Sequence, residues 1–367
     1  MNMPDRTPTI VLLMIIATLG LIWVAGVAGD EIILFLTAGA EVFAIILIAV
    51  LAHLSISRTN LRPVVIFLTI VILGILAIFS FGYANAETLM IENAAGDPDI
   101  TLSMIVSLLL SFIFWLAPLI FYDRRIRERI SLYIPINPDD FVHTTALVLI
   151  SGASLLFMLP LLILGEPPLL LLAGQIDAPE SFILARTELY RLMWAILGSF
   201  LAVGYLTRKT LAESIRRLGL AFPTPRWAVI GVLAGFFFVP VLFGLNWLTG
   251  AVFTQLGWPL TDEAAVILLF APYMTPLAAI AASISAGFGE ELAMRGVLQP
   301  RFGIIIAALV FTAAHALQYG WDALIGVFIG GCLFGILRKR TDTLVACLAH
   351  ATYNMTIFSL YMQGILP

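Results

Sequence analysis

Charge is scarce in this chain: Asp, Glu, Lys and Arg make up 11% of its 367 residues, hydrophobic residues 61%, and the mean hydropathy is +1.05. Ordinary soluble domains carry about 25% charged residues, so the deficit excludes that class and points to a helical membrane protein. Cysteine is nearly absent. Cys332 and Cys347 lie in apolar runs without CxxC or metal-ligand spacing and read as buried small residues, not as a disulfide. No HExxH helix is present, no serine or cysteine stands in an evident nucleophile motif, and no low-complexity tract, convincing repeat or soluble domain interrupts the chain. The net charge of −4 decides little, because the placement of Lys and Arg matters more than their sum.

What is abundant is apolar sequence in lengths that fit a bilayer. Segments near 9–29, 32–53, 63–83, 101–122, 141–164, 188–206, 227–250, 271–293, 302–318, 323–337 and 342–361 predict about 11 spans, the ninth and tenth short for a crossing of about 20 residues. The first run exceeds a signal-peptide core of about 7–15 residues and is followed at once by a second, so it reads as a retained helix. The loops alternate in charge. With the N-terminus in the cytoplasm, the inner loops collect Arg6, Arg58, Arg62, Arg124 to Arg129, Arg208 to Arg226, Arg295, Arg301 and Arg338 to Arg340, while Asp and Glu gather opposite. Only Arg186 and Arg191 break the rule. The expected fold is an all-α polytopic transmembrane bundle, N-terminus cytoplasmic, Pro367 on the far side, in the plasma (cell) membrane.

The basic, proline-containing stretch from Arg124 to Asp140 reads as a linker, giving a four-span N-terminal extension over 1–130 and a membrane domain over 141–361. Its arginines are expected to mark topology and touch anionic lipid. Membrane lipids are therefore expected partners, and nucleic acid is not.

The chemistry concentrates in Gly287-Phe288-Gly289-Glu290-Glu291-Leu292-Ala293-Met294-Arg295-Gly296. Ionisable groups in an apolar run of this length are costly and count as functional candidates. On a helix Glu291 and Arg295 share a face as an i,i+4 pair, whereas Glu290 lies about 100° away. One acid is expected to be held and the other to be available.

Two later runs carry the remaining candidates, Phe311 with His315 and His350 with Asn354, each pair at i,i+4. At 1.5 Å per residue, Glu290, His315, His350 and Asn354 all fall roughly 15–21 Å from basic turns near Arg301 and Arg340, which predicts one polar layer. An acid, two imidazoles and a carboxamide at one depth suggest hydrolysis: the carboxylate takes a proton from water and N–H donors stabilise an oxyanion. His53, His143 and Glu41 read as structural, and Gly326, Gly330, Gly331 and Gly335 as packing positions. A competing class is a non-proteolytic membrane scaffold or a transporter; the latter would favour inverted repeats or paired broken helices, which the sequence does not display.

The ordered series Glu290-Glu291-x-x-x-Arg295, Phe311-x-x-x-His315 and His350-x-x-x-Asn354 resembles the CAAX prenyl endopeptidase and bacteriocin-processing (CPBP) family of intramembrane proteases, over about 227, or 141, to 361. Ala293-Met294 replaces the aromatic pair often seen before the family's arginine. The resemblance implies an endopeptidase that cleaves a membrane-associated protein or peptide by glutamate-activated water. In that reading Glu290 is the base, His315 and Asn354 are oxyanion donors, His350 is a second polar contact, and Glu291 and Arg295 brace the site. No cofactor is expected. Family members have also been described as metalloproteases, so zinc or another divalent metal on one Glu and two His stays an admissible alternative.

Overall fold

The computed structural model describes residues 30–85, 98–173, 179–221 and 223–366, together with all side chains there except those of Asp30, Glu41 and residues 98–101. The expected first span, the acidic residues Glu87, Glu92 and Asp97, and Pro367 lie outside the described residues, as does the side chain of Glu41. Within them the chain is helical and contains no named strand. It is the all-α polytopic bundle that composition and periodicity foretell.

In chain order the helices are α1 (Asp30–Leu54), α2 (Arg62–Ala84), α3 (Pro98–Leu116), the short α4 (Arg124–Ile130), α5 (Phe141–Leu164), α6 (Ser181–Ala202), the short α7 (Leu211–Leu218) and α8 (Pro225–Leu256). There follow α9 (Glu263–Phe270), α10 (Pro276–Glu291), α11 (Gln299–Ala314), α12 (Trp321–Arg340) and α13 (Thr343–Met362). Among the described residues seven helical stretches are long and apolar enough to cross a membrane, or eight if the bent pair within α1 is one span. One of the seven is the 39-residue run from Pro276 to Ala314. An unbroken helix of that length would reach about 58 Å, twice a hydrocarbon core. Gly303, with φ 80 and ψ 173, breaks it. The two halves then seek different neighbours: α10 packs on α13 and α6, α11 on α12 and α5. The break falls two residues beyond the turn expected at Arg301.

Helix α6 is not among the seven because it carries Arg186, Glu188 and Arg191. Those two arginines, the exceptions to the charge rule, are matched by acids. Arg186 pairs with Glu31, which also accepts from the Tyr190 hydroxyl, and Arg191 donates to Glu188 Oε1 at 2.8 Å.

The stretch from Arg124 to Asp140 is folded down. Arg127 donates to the carbonyls of Pro138, Phe121 and Tyr122, each at 2.8 Å, and Arg124 pairs with Asp139 at 2.8 Å. Helix α2 packs against α5, and α1 against α6, so the front helices lie along the remainder of the bundle. His53 is buried and hydrogen-bonds the Ala202 carbonyl at 2.9 Å, and His143 accepts from the Asn137 N–H at 2.9 Å; both work in the scaffold.

Candidate active site

The site forms where α10 and α13 approach more closely than side chains ordinarily permit. A Cβ on Gly287 would lie 2.5 Å from the Ala351 backbone nitrogen, so only glycine allows this crossing. One helical turn on from Gly287 stands Glu291, and beside Ala351 stands His350. The contact therefore delivers the two to each other: His350 Nδ1 donates to Glu291 Oε1 at 3.1 Å. A second close approach presses α8 against the far side of α13, where a Cβ on Gly235 would meet the Ala349 carbonyl at 2.5 Å.

Glu291 and Arg295 are both fully buried, with Arg295 Nε 2.9 Å from Glu291 Oε2. The charges match, but the N–H is not aimed at the oxygen, and the Arg295 nitrogens have no hydrogen-bond partner among the described residues. Part of the compensation comes from an aromatic face: the guanidinium carbon lies 5.4 Å from the centroid of Phe311. Removing either partner strands the other charge in an apolar interior.

The α-helical phasing expected after Glu291 is not kept. Residues Leu292–Leu298 form a π-helical stretch, a wider winding often found beside functional sites. Its end coincides with Pro300, which has no N–H to offer the preceding turn. The carbonyls of Gly296 and Val297 accept from the Arg217 guanidinium at 2.8 and 3.1 Å. Arg217 thus fastens the segment that carries Arg295, and nothing in its own sequence neighbourhood marks that role.

Phe311 is the hub of the site. Its ring lies 4.4 Å from that of His315 and 6.1 Å from that of His350, with Arg295 against it. His350 is also stacked on Phe334, at 4.6 Å and 20°. Phe334 was not identifiable from sequence, because an aromatic in an apolar helix has no distinguishing spacing. His315 does not sit inside a helix as expected. Helix α11 ends at Ala314, and His315 occupies its C-cap, where Nδ1–H donates to the orphan Phe311 carbonyl at 2.8 Å. In the neutral ring that bond leaves Nε2 as an acceptor.

Glu290 differs from its neighbour in every respect that matters to reactivity. Its side chain is 37% exposed, one oxygen has no hydrogen-bond partner among the described residues, and Oε2 stands 3.9 Å from His350 Nε2. His350 is therefore gripped by Glu291 on one nitrogen and presents the other to Glu290. Asn354, one turn along α13, is half-buried, and its carboxamide makes no hydrogen bond among the described residues. The structure thus brings Glu290, Glu291, Arg295, His315 and His350 into one connected cluster, with Asn354 on the next turn of the helix bearing His350.

The two glutamates address opposite nitrogens of one imidazole, and among the described residues no three His, Cys, Asp or Glu side chains converge on a point.

A buried acid–base cluster within a polytopic helical bundle is a membrane-embedded site with the parts for proton transfer. Residues 272–356 match the family model described as Type II CAAX prenyl endopeptidase Rce1-like, in agreement with the motifs read from the sequence. That match spans α10 through most of α13 and contains every candidate residue. It implies CAAX-type protease activity, a peptide-bond hydrolase of a multi-pass membrane protein. No curated protein and no solved structure matches the chain.

Proposed function

We propose that this protein is an intramembrane endopeptidase in which Glu290 activates water for attack on a peptide carbonyl of a membrane-associated protein or peptide. The observation that carries the reading is the asymmetry of the glutamate pair: Glu291 is sealed against Arg295 and His350, and Glu290, 3.9 Å from the other nitrogen of that histidine, is open. A general base must reach both water and substrate, and of the two glutamates Glu290 is the exposed one.

In the reaction, Glu290 takes a proton as the water oxygen bonds to the carbonyl carbon, and the carbonyl oxygen becomes an oxyanion. Collapse breaks the C–N bond, and the proton held by Glu290 passes to the departing amine. The Asn354 carboxamide can donate to the oxyanion without changing its protonation. His315, whose Nδ1–H is committed to Phe311, accepts at Nε2 and suits the attacking water; it can donate there only when doubly protonated. His350 keeps its imidazole aimed at Glu290 because Glu291 and Phe334 fix the ring.

The protease domain in this reading is 141–361, because α5, α6 and α8 pack on the helices that bear the site, and 1–130 is an extension whose described helices α1 and α2 pack against α6 and α5. The plasma membrane is its proposed location. The test is to reconstitute the full chain in liposomes with a quenched library of membrane-anchored peptides and to identify products by mass. Internal cleavage at a defined bond is expected. Intact peptides throughout, with folded protein, would overturn the proposal.

A further inference from the structure

Four cations from four separate elements gather where α7 meets the π-helical stretch and the end of α12. Arg217 lies against Gly296 and Val297, one turn before Arg301. Arg338 Nη2 lies 3.4 Å from where a Cβ on Gly219 would stand, just past the end of α7. Lys209 stands just before the N-cap of α7, its N–H closing a turn onto the Gly204 carbonyl at 2.9 Å. These groups influence one another: burial, then the charges of Arg301 and Arg338, lower Arg217 to about 10, and burial, then Arg217, Arg301 and Arg208, lower Lys209.

Glu213 acts on Lys209 and Asp342 on Arg338 only at longer range, and neither closes an ion pair with them. Among the described residues none of Lys209, Arg217, Arg301 and Arg338 makes an ion pair, and Arg338 Nε is buried without a partner. The nearby acids are engaged elsewhere: Glu213 closes a capping box with Thr210, and Asp342 caps α13 through the Val345 N–H. The other basic stretch provides the contrast, since Arg124 there is paired with Asp139 and Glu128, and Arg127 is consumed by carbonyls. A topology signal needs cations in a loop, but it does not need Lys209, Arg217 and Arg338 to be partly buried, with the exposed Arg301 close by and none of them in an ion pair.

We propose that Lys209, Arg217, Arg301 and Arg338 form a binding site for a phosphate group, supplied by an anionic phospholipid headgroup or by free phosphate. Guanidinium forks suit phosphate oxygens, and Arg217 retains N–H groups beyond the two that hold the π-helical stretch. The site is separate from the Glu290 cluster and does not depend on the protease reading.

The experiment follows thermal unfolding of the full chain in an uncharged detergent, titrated with dioctanoyl phosphatidylglycerol, dioctanoyl phosphatidylcholine or inorganic phosphate. Saturable stabilisation by phosphatidylglycerol and not by phosphatidylcholine is expected, since a ligand of the folded state raises its stability. The apparent Kd should rise about fivefold per cation removed, hence about 25-fold in a Lys209→Gln/Arg301→Gln variant, with Arg124→Gln/Arg125→Gln within about twofold of the parent. If the double variant does not fold, Arg301→Gln alone should show the fivefold change. Equal stabilisation by inorganic phosphate, lost in the same variants, supports the site and assigns free phosphate as its source. Absence of saturation by any anion, or equal losses in the two double variants, overturns it.

Discussion

Two of the Glu–Arg pairs in the apolar helices of this protein, one sealed and one open, behave as different objects. Glu291–Arg295 on α10 and the π-helical stretch is wholly buried, at 2.9 Å, whereas Glu188–Arg191 on α6 has side chains 10% and 44% exposed, at 2.8 Å. The distances hardly differ, but the surroundings do. The open pair shares its acid with the Tyr273 hydroxyl at 3.3 Å and allows a charged helix to lie in the bundle. The sealed pair anchors His350 and so sets the geometry of the candidate site. Burial, not spacing, separates a structural neutralisation from a brace for chemistry.

The comparison is broken most sharply at the sealed pair. Arg295→Met should cost about 3–5 kcal/mol by leaving Glu291 charged and buried, and denaturant or thermal unfolding in detergent would show it. Glu291→Gln/Arg295→Met should recover more folded protein than either single change; a double variant worse than both would mean that the two do not act as a pair. Next comes Asn354→Ala, expected to fold normally and lose about 10²–10³-fold in kcat, as for one missing oxyanion donor. An unchanged rate would remove Asn354 from the mechanism.

Gly287→Ala tests whether close packing delivers Glu291 to His350. The added methyl meets backbone at 2.5 Å, so α10 and α13 must part, at a cost of about 1–3 kcal/mol, with activity falling further than stability alone explains. A stability scan beside turnover would separate the two effects. A smaller loss than at the sealed pair belongs to the open pair: Arg191→Met leaves Glu188 largely buried but still bound by the Tyr273 hydroxyl, so it should cost less stability than Arg295→Met in the same unfolding measurement. A loss comparable to that of Arg295→Met would erase the distinction drawn between the pairs.

The sequence made the bundle and the polar cluster visible because membrane solvation makes charge rare, and rare residues are informative. Glu291 with Arg295, and Glu290 as the free acid, followed from helical phasing alone. The π-helical stretch did not, since part of what holds it is a distant residue, Arg217, which donates to its Gly296 and Val297 carbonyls. The tenth span attracted notice for its glycines, and these do pack, with Gly331 against Ala308 and Gly335 against Ile304. The glycines that build the site, Gly287 and Gly235, work through tertiary contacts on other helices, and nothing local distinguishes them. His315 at a helix end was missed because the Phe311–His315 spacing is the same whether the helix continues or stops.

The central claim is that adjacent glutamates have opposite duties, and one paired measurement addresses it. Glu290→Gln and Glu291→Gln, purified in parallel, should be compared for unfolding temperature and for single-turnover cleavage of a peptide cut by the parent protein. Glu290→Gln should unfold with the parent and cleave about 10²–10⁴-fold more slowly across the pH range, as expected on losing a general base. Glu291→Gln should lose stability first. Near-parental cleavage by well-folded Glu290→Gln protein would contradict the account and move the chemistry to another residue.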